Sequence, residues 1–157
     1  MVDLTKALTR TLSGFLMAVV VAMPVIAGNP QKMINAGSDN VAIKGYDTVA
    51  YFTEGQPMKG KPEFAYLWND AQWRFANAAD RDLFIADPER YTPQFGGYCA
   101  MALAVGKVKD IDPEVWTIVD GKLYLNFSKA FRDKFRQNAA ENIKKAEENW
   151  TEARKQN

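Results

Sequence analysis

The chain predicts an α+β fold: two antiparallel β-hairpins forming a small sheet, packed by short helices and a long C-terminal amphipathic helix. Three observations carry that expectation. Two segments alternate apolar and polar residues around turn-forming pairs, as half-buried strands do. Short stretches beside them start at residues that cap helices. From Ser128 onward, apolar residues recur every three or four positions, the period of a helix with one buried stripe. Hydrophobic residues make up 47% of the 157, enough for a packed core.

The first 27 residues are set apart. Lys6 and Arg10 precede an apolar run from about Leu12 to Ile26, which ends in Val25-Ile26-Ala27. That is the plan of a secretory signal peptide cleaved after Ala27. Ser13, Gly14 and Pro24 interrupt the run, which falls short of the roughly 20 apolar residues of a spanning helix. There is no Arg-Arg pair and no cysteine near the cleavage point, the marks of twin-arginine export and a lipid anchor. The expectation is a periplasmic or secreted protein with no membrane span after cleavage. Residues 28–40 are polar and rich in turn formers, a flexible arm entering a single domain over 41–157.

Within that domain Asp47 is placed to cap a short helix over Thr48–Phe52, which Gly55 and Pro57 end. Phe64, Tyr66 and Trp68 alternate on one strand and Trp73 and Phe75 on its return, around an Asn69-Asp70 turn. Asn77 caps a helix over Ala78–Ala86 that turns Leu83 and Phe84 inward, and "DPERY" follows as a turn-rich element. In "WTIVDGKLYLNF" the Asp120-Gly121 pair suits a two-residue turn of the primed type. That register sets Ile118 against Leu123 and Trp116 against Leu125 on one face, with Thr117 and Tyr124 on the other. The last helix carries Phe131, Phe135, Ala139, Ile143, Ala146 and Trp150 in one stripe. No internal repeat stands out.

Composition excludes several functions. Removing Lys6, Arg10 and Asp3 from 20 basic and 19 acidic residues leaves no net charge, and no basic patch marks a nucleic-acid footprint. The chain has no histidine, hence no near-neutral base to activate a nucleophile. No phosphate-binding Gly-rich loop and no zinc spacing is present. Asp110 and Asp112 read as turn and cap residues before Pro113. The balance leans away from an enzyme.

The stretch "WNDAQWRFANAADRDLFIADPERY", residues 68–91, resembles the central part of a YHS domain, through Trp73, Phe75, Phe84, Pro88, Glu89 and Tyr91. "GYDTVAYF", "FGGYCA" and "WTIVDGKLYLNFS" resemble the exported, single-domain branch of that family, so the likeness spans roughly residues 40–150. It implies a small binding module. Intracellular members carry cysteines proposed to bind metal; here those positions fall near Ala76 and Asp80, and the family's histidine position falls in 64–67, so that metal function does not carry over. Some relatives hold selenocysteine at the position of Cys99, which implies a redox role.

Cys99 is the one cysteine and stands directly after Gly96-Gly97-Tyr98. Three readings stay open. It is a buried small hydrophobe; or a reactive thiol in the first turn of a short helix, making mixed disulfides with a partner's thiol; or, with Met101, a soft-metal ligand for a cuprous ion. The last needs an extended segment, because positions i and i+2 of a helix diverge. The leading expectation is a binding module for an unidentified ligand, with its site around Gly96, Gly97, Tyr98 and Cys99 and with Tyr46, Asp47 and Tyr51 as neighbours.

Overall fold

The computed structural model describes residues 33–155. The signal peptide expected over 1–27 and the start of the arm lie outside the described residues. The chain is α+β. Six helices accompany four strands among the described residues: α1 (Ala50–Thr53), β1 (Lys61–Trp68), β2 (Ala71–Phe75), α2 (Ala78–Ala86), α3 (Pro88–Tyr91), α4 (Ala100–Ala104), β3 (Asp112–Val119), β4 (Lys122–Asn126), α5 (Lys129–Gln137) and α6 (Ala139–Lys155). The hairpins do not merge; β1-β2 and β3-β4 stand as separate two-stranded sheets.

Local chemistry sets most boundaries. Asn69 and Asp70, and again Asp120 and Gly121, take positive φ, as a two-residue primed turn requires. The second hairpin pairs Ile118 with Leu123 and Trp116 with Leu125. Its outer face is not left to solvent: Tyr124 is buried against Phe95 and Phe135. Asn77 caps α2 by accepting from the Asp80 N–H at 2.9 Å, and Ser128 caps α5 by accepting from Phe131. "DPERY" is helix rather than turn, because Asp87 accepts from the Arg90 N–H and Pro88 suits the first helical position. α4 ends at a left-handed Gly106 whose N–H, with that of Lys107, takes up the carbonyls of Leu103 and Ala102.

The core joins Trp73, Phe75 and Phe84 from the first hairpin and α2 to Leu123, Leu125 and Phe135 from the second hairpin and α5, and every residue of α4 is buried in the same cluster. Burying one such aromatic is worth about 1.5–3 kcal/mol. Two expectations fail here. Leu83 is 41% exposed while Phe84 is fully buried, since consecutive helical positions point about 100° apart and one face reaches the core. The C-terminal stripe is carried by two helices, broken at Asn138 (φ −144°, ψ 62°); its apolar period runs on through the break, so periodicity alone does not reveal it.

Much of the second half of this fold rebuilds the first, although the four-residue α3 is followed in the second half by the 17-residue α6 at the matching place. β1 and β3 have eight residues each, β2 and β4 five, α2 and α5 nine. Lys61 corresponds to Asp112, Phe75 to Asn126, Ala78 to Lys129 and Asp87 to Asn138, at constant spacing. Both hairpins shift register at the same place, between Lys61 and Ala65 and between Asp112 and Trp116. Each unit opens with three consecutive left-handed residues, Ile43-Lys44-Gly45 and Phe95-Gly96-Gly97. The Tyr46 N–H then bonds the Ile43 carbonyl and the Tyr98 N–H that of Phe95, both at 3.1 Å. The Asp47 N–H bonds Met58 and the Cys99 N–H bonds Lys109, both at 2.9 Å. Arg81 forks onto Asp82 as Arg132 does onto Asp133. The chain is thus built on an internal repeat, contrary to the reading of its sequence.

Candidate functional site

The Phe95-Gly96-Gly97 turn is costly to make. Phe95 at φ 58° lies in a region that side chains disfavour. Only glycine fits at position 96, where a Cβ would stand 1.8 Å from the Met33 carbonyl oxygen and 3.3 Å from Trp150 Cη2. At position 97 a Cβ would meet Ile43 Cδ1 at 2.2 Å. Asn35 clasps the turn: its N–H donates to the Gly96 carbonyl at 2.8 Å, and its side-chain amide donates to the Gly97 carbonyl and to Asp110. Asp110 in turn pairs with Lys44 at 2.7 Å. Burial pushes the Asp110 carboxyl up, but the hydrogen bonds from Lys44 and Asn35 outweigh it and hold the group below the usual range. The described part of the N-terminal arm is therefore hydrogen-bonded to both left-handed turns.

Beside this turn lies a cleft of about 160 Å³. Ile34, Phe95 and Gly96 form one side, Trp68 comes from the end of β1, and Trp150 comes from α6. Glu89, Gln94 and Arg154 stand at its polar margin. The Arg154 guanidinium lies 5.7 Å from the centroid of the Trp150 ring. Tyr98 packs on that ring at 6.0 Å and Phe95 at 6.3 Å, so the indole is held from two sides.

Cys99 follows Tyr98 in the chain and is not among the lining residues of the cleft. It is the N-cap residue of α4, one position before the helix rather than within its first turn, and its side chain is 0% exposed. Its Sγ accepts the Phe127 N–H at 3.2 Å and lies 3.8 Å from Asn126 Oδ1. Asn126 Oδ1 also accepts the Met101 N–H, while its Nδ2 is buried without a partner. Met101 is buried at the second position of α4. Among the described residues no group of three or more Cys, Asp or Glu side chains gathers as a metal site would.

Asp47 holds the place in the first unit that Cys99 holds in the second. Its Oδ2 accepts the Ala76 N–H at 2.8 Å, as Cys99 Sγ accepts that of Phe127. Its Oδ1 accepts from Val49 and Ala50 at 2.9 and 3.2 Å, just ahead of α1, which has Val49 rather than Asp47 at its N-cap and starts at Ala50 rather than the expected Thr48. Asp47 is fully buried, and burial first, then the neighbouring Asp80 carboxyl, raises its pKa to about 6. Tyr51 is buried, donates to the Pro113 carbonyl at 2.9 Å and meets Trp116 edge-on; burial drives its hydroxyl pKa upward. Tyr46 donates to Glu114 at 3.1 Å.

Of the residues singled out in the sequence, Gly96 lines the cleft, Tyr98 braces its Trp150 wall, and Gly97 and Cys99 are not among its lining residues. Tyr46, Asp47 and Tyr51 are not among its walls. Sequence reasoning missed Trp68, Trp150, Ile34 and Arg154, which no motif joins. It also missed the partnership of Asn126 and Phe127 with Cys99; the repeat, through Ala76 and Asp47, is the signal that points to Phe127. No protein-family model, no curated protein and no solved structure matches the chain.

Proposed function

We propose that this chain is an exported, YHS-like binding module that takes a small ligand in the cleft between Trp68, Phe95 and Trp150. The cleft carries the reading. It is a concave site in which the large rings of Trp68, Phe95 and Trp150 stand among polar and charged side chains, a combination that small-molecule pockets use. Strained backbone at Phe95 forms part of its wall, and strain of that kind concentrates at ligand sites. Both repeat units supply it, Trp68 from the first and Phe95 from the second.

The thiol readings have less support. Redox exchange needs a reachable sulfur, and Cys99 is enclosed and bonded to the Phe127 N–H. Its counterpart Asp47 does the same work with oxygen, so the shared role is to latch the start of each unit to the end of its hairpin. The absence of histidine leaves that thiol without an imidazole base. Catalysis finds no constellation to carry it.

The test is a screen of small organic compounds against the isotope-labelled mature chain, read at the four indole N–H signals. Binding at the cleft moves Trp68 and Trp150 and leaves Trp116, which packs on Tyr51, in place. Ligands that move the Cys99, Met101 and Phe127 amides while both cleft indoles stand still would overturn it.

A further inference from the structure

We infer that the second unit carries a docking surface for an anionic phospholipid bilayer, formed by the 105–109 loop and Phe127. The internal repeat gives the first argument. Ala76 and Phe127 do the same backbone work, donating an N–H to Asp47 and to Cys99. Ala76 is buried, whereas Phe127 is 43% exposed. The fold therefore needs no large apolar side chain at this place. Phe127 does not stand alone. Val105 and Val108 are 53% and 48% exposed, and every residue from 105 to 110 is exposed, so the loop after α4 protrudes. Cys99 ties the two segments together: its N–H donates to the Lys109 carbonyl at 2.9 Å and its Sγ accepts the Phe127 N–H. Apolar surface of this kind, rimmed by charge, marks interaction sites.

Charge gives the second argument. Lys107 and Lys109 flank Val108, and Lys129 follows Phe127 closely in the chain. None of the three makes an ion pair among the described residues. The nearby carboxylates are already matched, Asp110 by Lys44 and Asp133 by Arg132. In the first unit the exposed apolar side chains of α2, Leu83 and Ile85, have Asp82 and Asp87 close in the chain instead. Shape gives the third argument. Lys109 Nζ lies 3.6 Å from the centroid of the Phe127 ring and 5.6 Å from that of Phe131. A lysine lying along apolar surface can keep its ammonium at the phosphates while the ring and the valines enter below the headgroups. An acidic peptide would be met by a groove, and this surface protrudes.

The experiment floats the chain from Gly28, which contains every described residue, with two kinds of vesicle. One is phosphatidylcholine alone, and the other carries roughly one third phosphatidylglycerol. The anionic vesicles should bind about tenfold or more tightly than the neutral ones, and less so as salt is raised. Lys107→Gln with Lys109→Gln should weaken binding about 25-fold, at about fivefold for each lysine. Phe127→Ala, which installs the residue of the first unit, and Val108→Ser on the exposed loop should each weaken it about fivefold. Lys144→Gln with Lys155→Gln removes the same charge from α6 and should leave binding within about twofold. Urea midpoints check that each variant is folded. No preference for anionic vesicles overturns the inference. So does binding that the α6 pair weakens as much as the loop pair, or that survives both Phe127→Ala and Val108→Ser. Poly-glutamate bound through the same residues, with no vesicle bound, overturns it in favour of an acidic protein partner.

Discussion

Asp47 offers a stability experiment whose sign is fixed by its surroundings. Its carboxylate accepts three backbone N–H groups, from Val49, Ala50 and Ala76. Asp47→Ala strands all three in a buried setting, at about 1–3 kcal/mol for each unsatisfied donor. Some of that returns because a buried charge is also removed, so a net loss of about 3–6 kcal/mol is expected. Asp47→Asn keeps an oxygen for Val49 and Ala50 but sets an amide donor against the Ala76 N–H, for a loss of about 1–3 kcal/mol. The pH dependence separates the charge from the shape. The native pKa stands at about 6, against about 4 in the unfolded chain. The folded state therefore holds the proton more tightly. The stabilisation is fully present below about pH 4 and is lost as pH rises through 6, a span on the order of 2–3 kcal/mol. Asp47→Asn has no such titration, so its deficit relative to the parent should be largest near pH 4 and smallest above pH 7. Asp80→Asn removes the neighbouring carboxylate and should shrink the parent's slope. Urea denaturation from pH 4 to 8, followed by tryptophan emission, reads all of this. A parent-to-Asn difference that is flat across the range, or that grows with pH, would refute the reasoning.

Three further outcomes are expected. Gly121→Val should cost about 1–3 kcal/mol through backbone strain alone, since φ is 71° there and nothing lies within 4 Å of an added Cβ; an unchanged urea midpoint would count against the primed turn. Phe84→Ala should cost about 3–5 kcal/mol, whereas Leu83→Gln one position earlier should stay within about 0.5 kcal/mol, and equal losses would mean that α2 is rotated from its described face. The chain recovered from its native host should have the mass of a protein beginning at Gly28 or within a few residues of it, and a full-length mass would end the export reading.

The sequence exposes what short-range chemistry decides. Asn69-Asp70 and Asp120-Gly121 announce their turns because few other residues accept positive φ, and Asn77 and Ser128 announce helix starts through side chains that reach their own next turn. The repeat is harder to see, because the shared residues are sparse: Gly45-Tyr46 with Gly97-Tyr98, Pro62-Glu63 with Pro113-Glu114, and Arg81-Asp82-x-Phe84 with Arg132-Asp133-x-Phe135. Most equivalences keep the role and change the residue, as Asp47 and Cys99 do. The cleft is invisible in sequence for another reason. Its walls come from the arm, β1, the Phe95 turn and α6, and only tertiary packing brings Trp68 to Trp150. Asn138 ends α5 inside an unbroken apolar stripe, so the local pattern conceals it.

The reactivity of Cys99 tests most directly whether function lies in the cleft or in the thiol. The measurement is the rate of iodoacetamide alkylation of the folded mature chain, at several urea concentrations below the unfolding transition. A latch bonded to the Phe127 N–H and closed off from solvent should label only through global opening. Its rate should then rise with urea in step with the falling stability, and it should be slower than the unfolded thiol by the unfolding equilibrium constant. Labelling at a rate near that of the unfolded chain, independent of urea, would contradict the latch and return the site to Cys99.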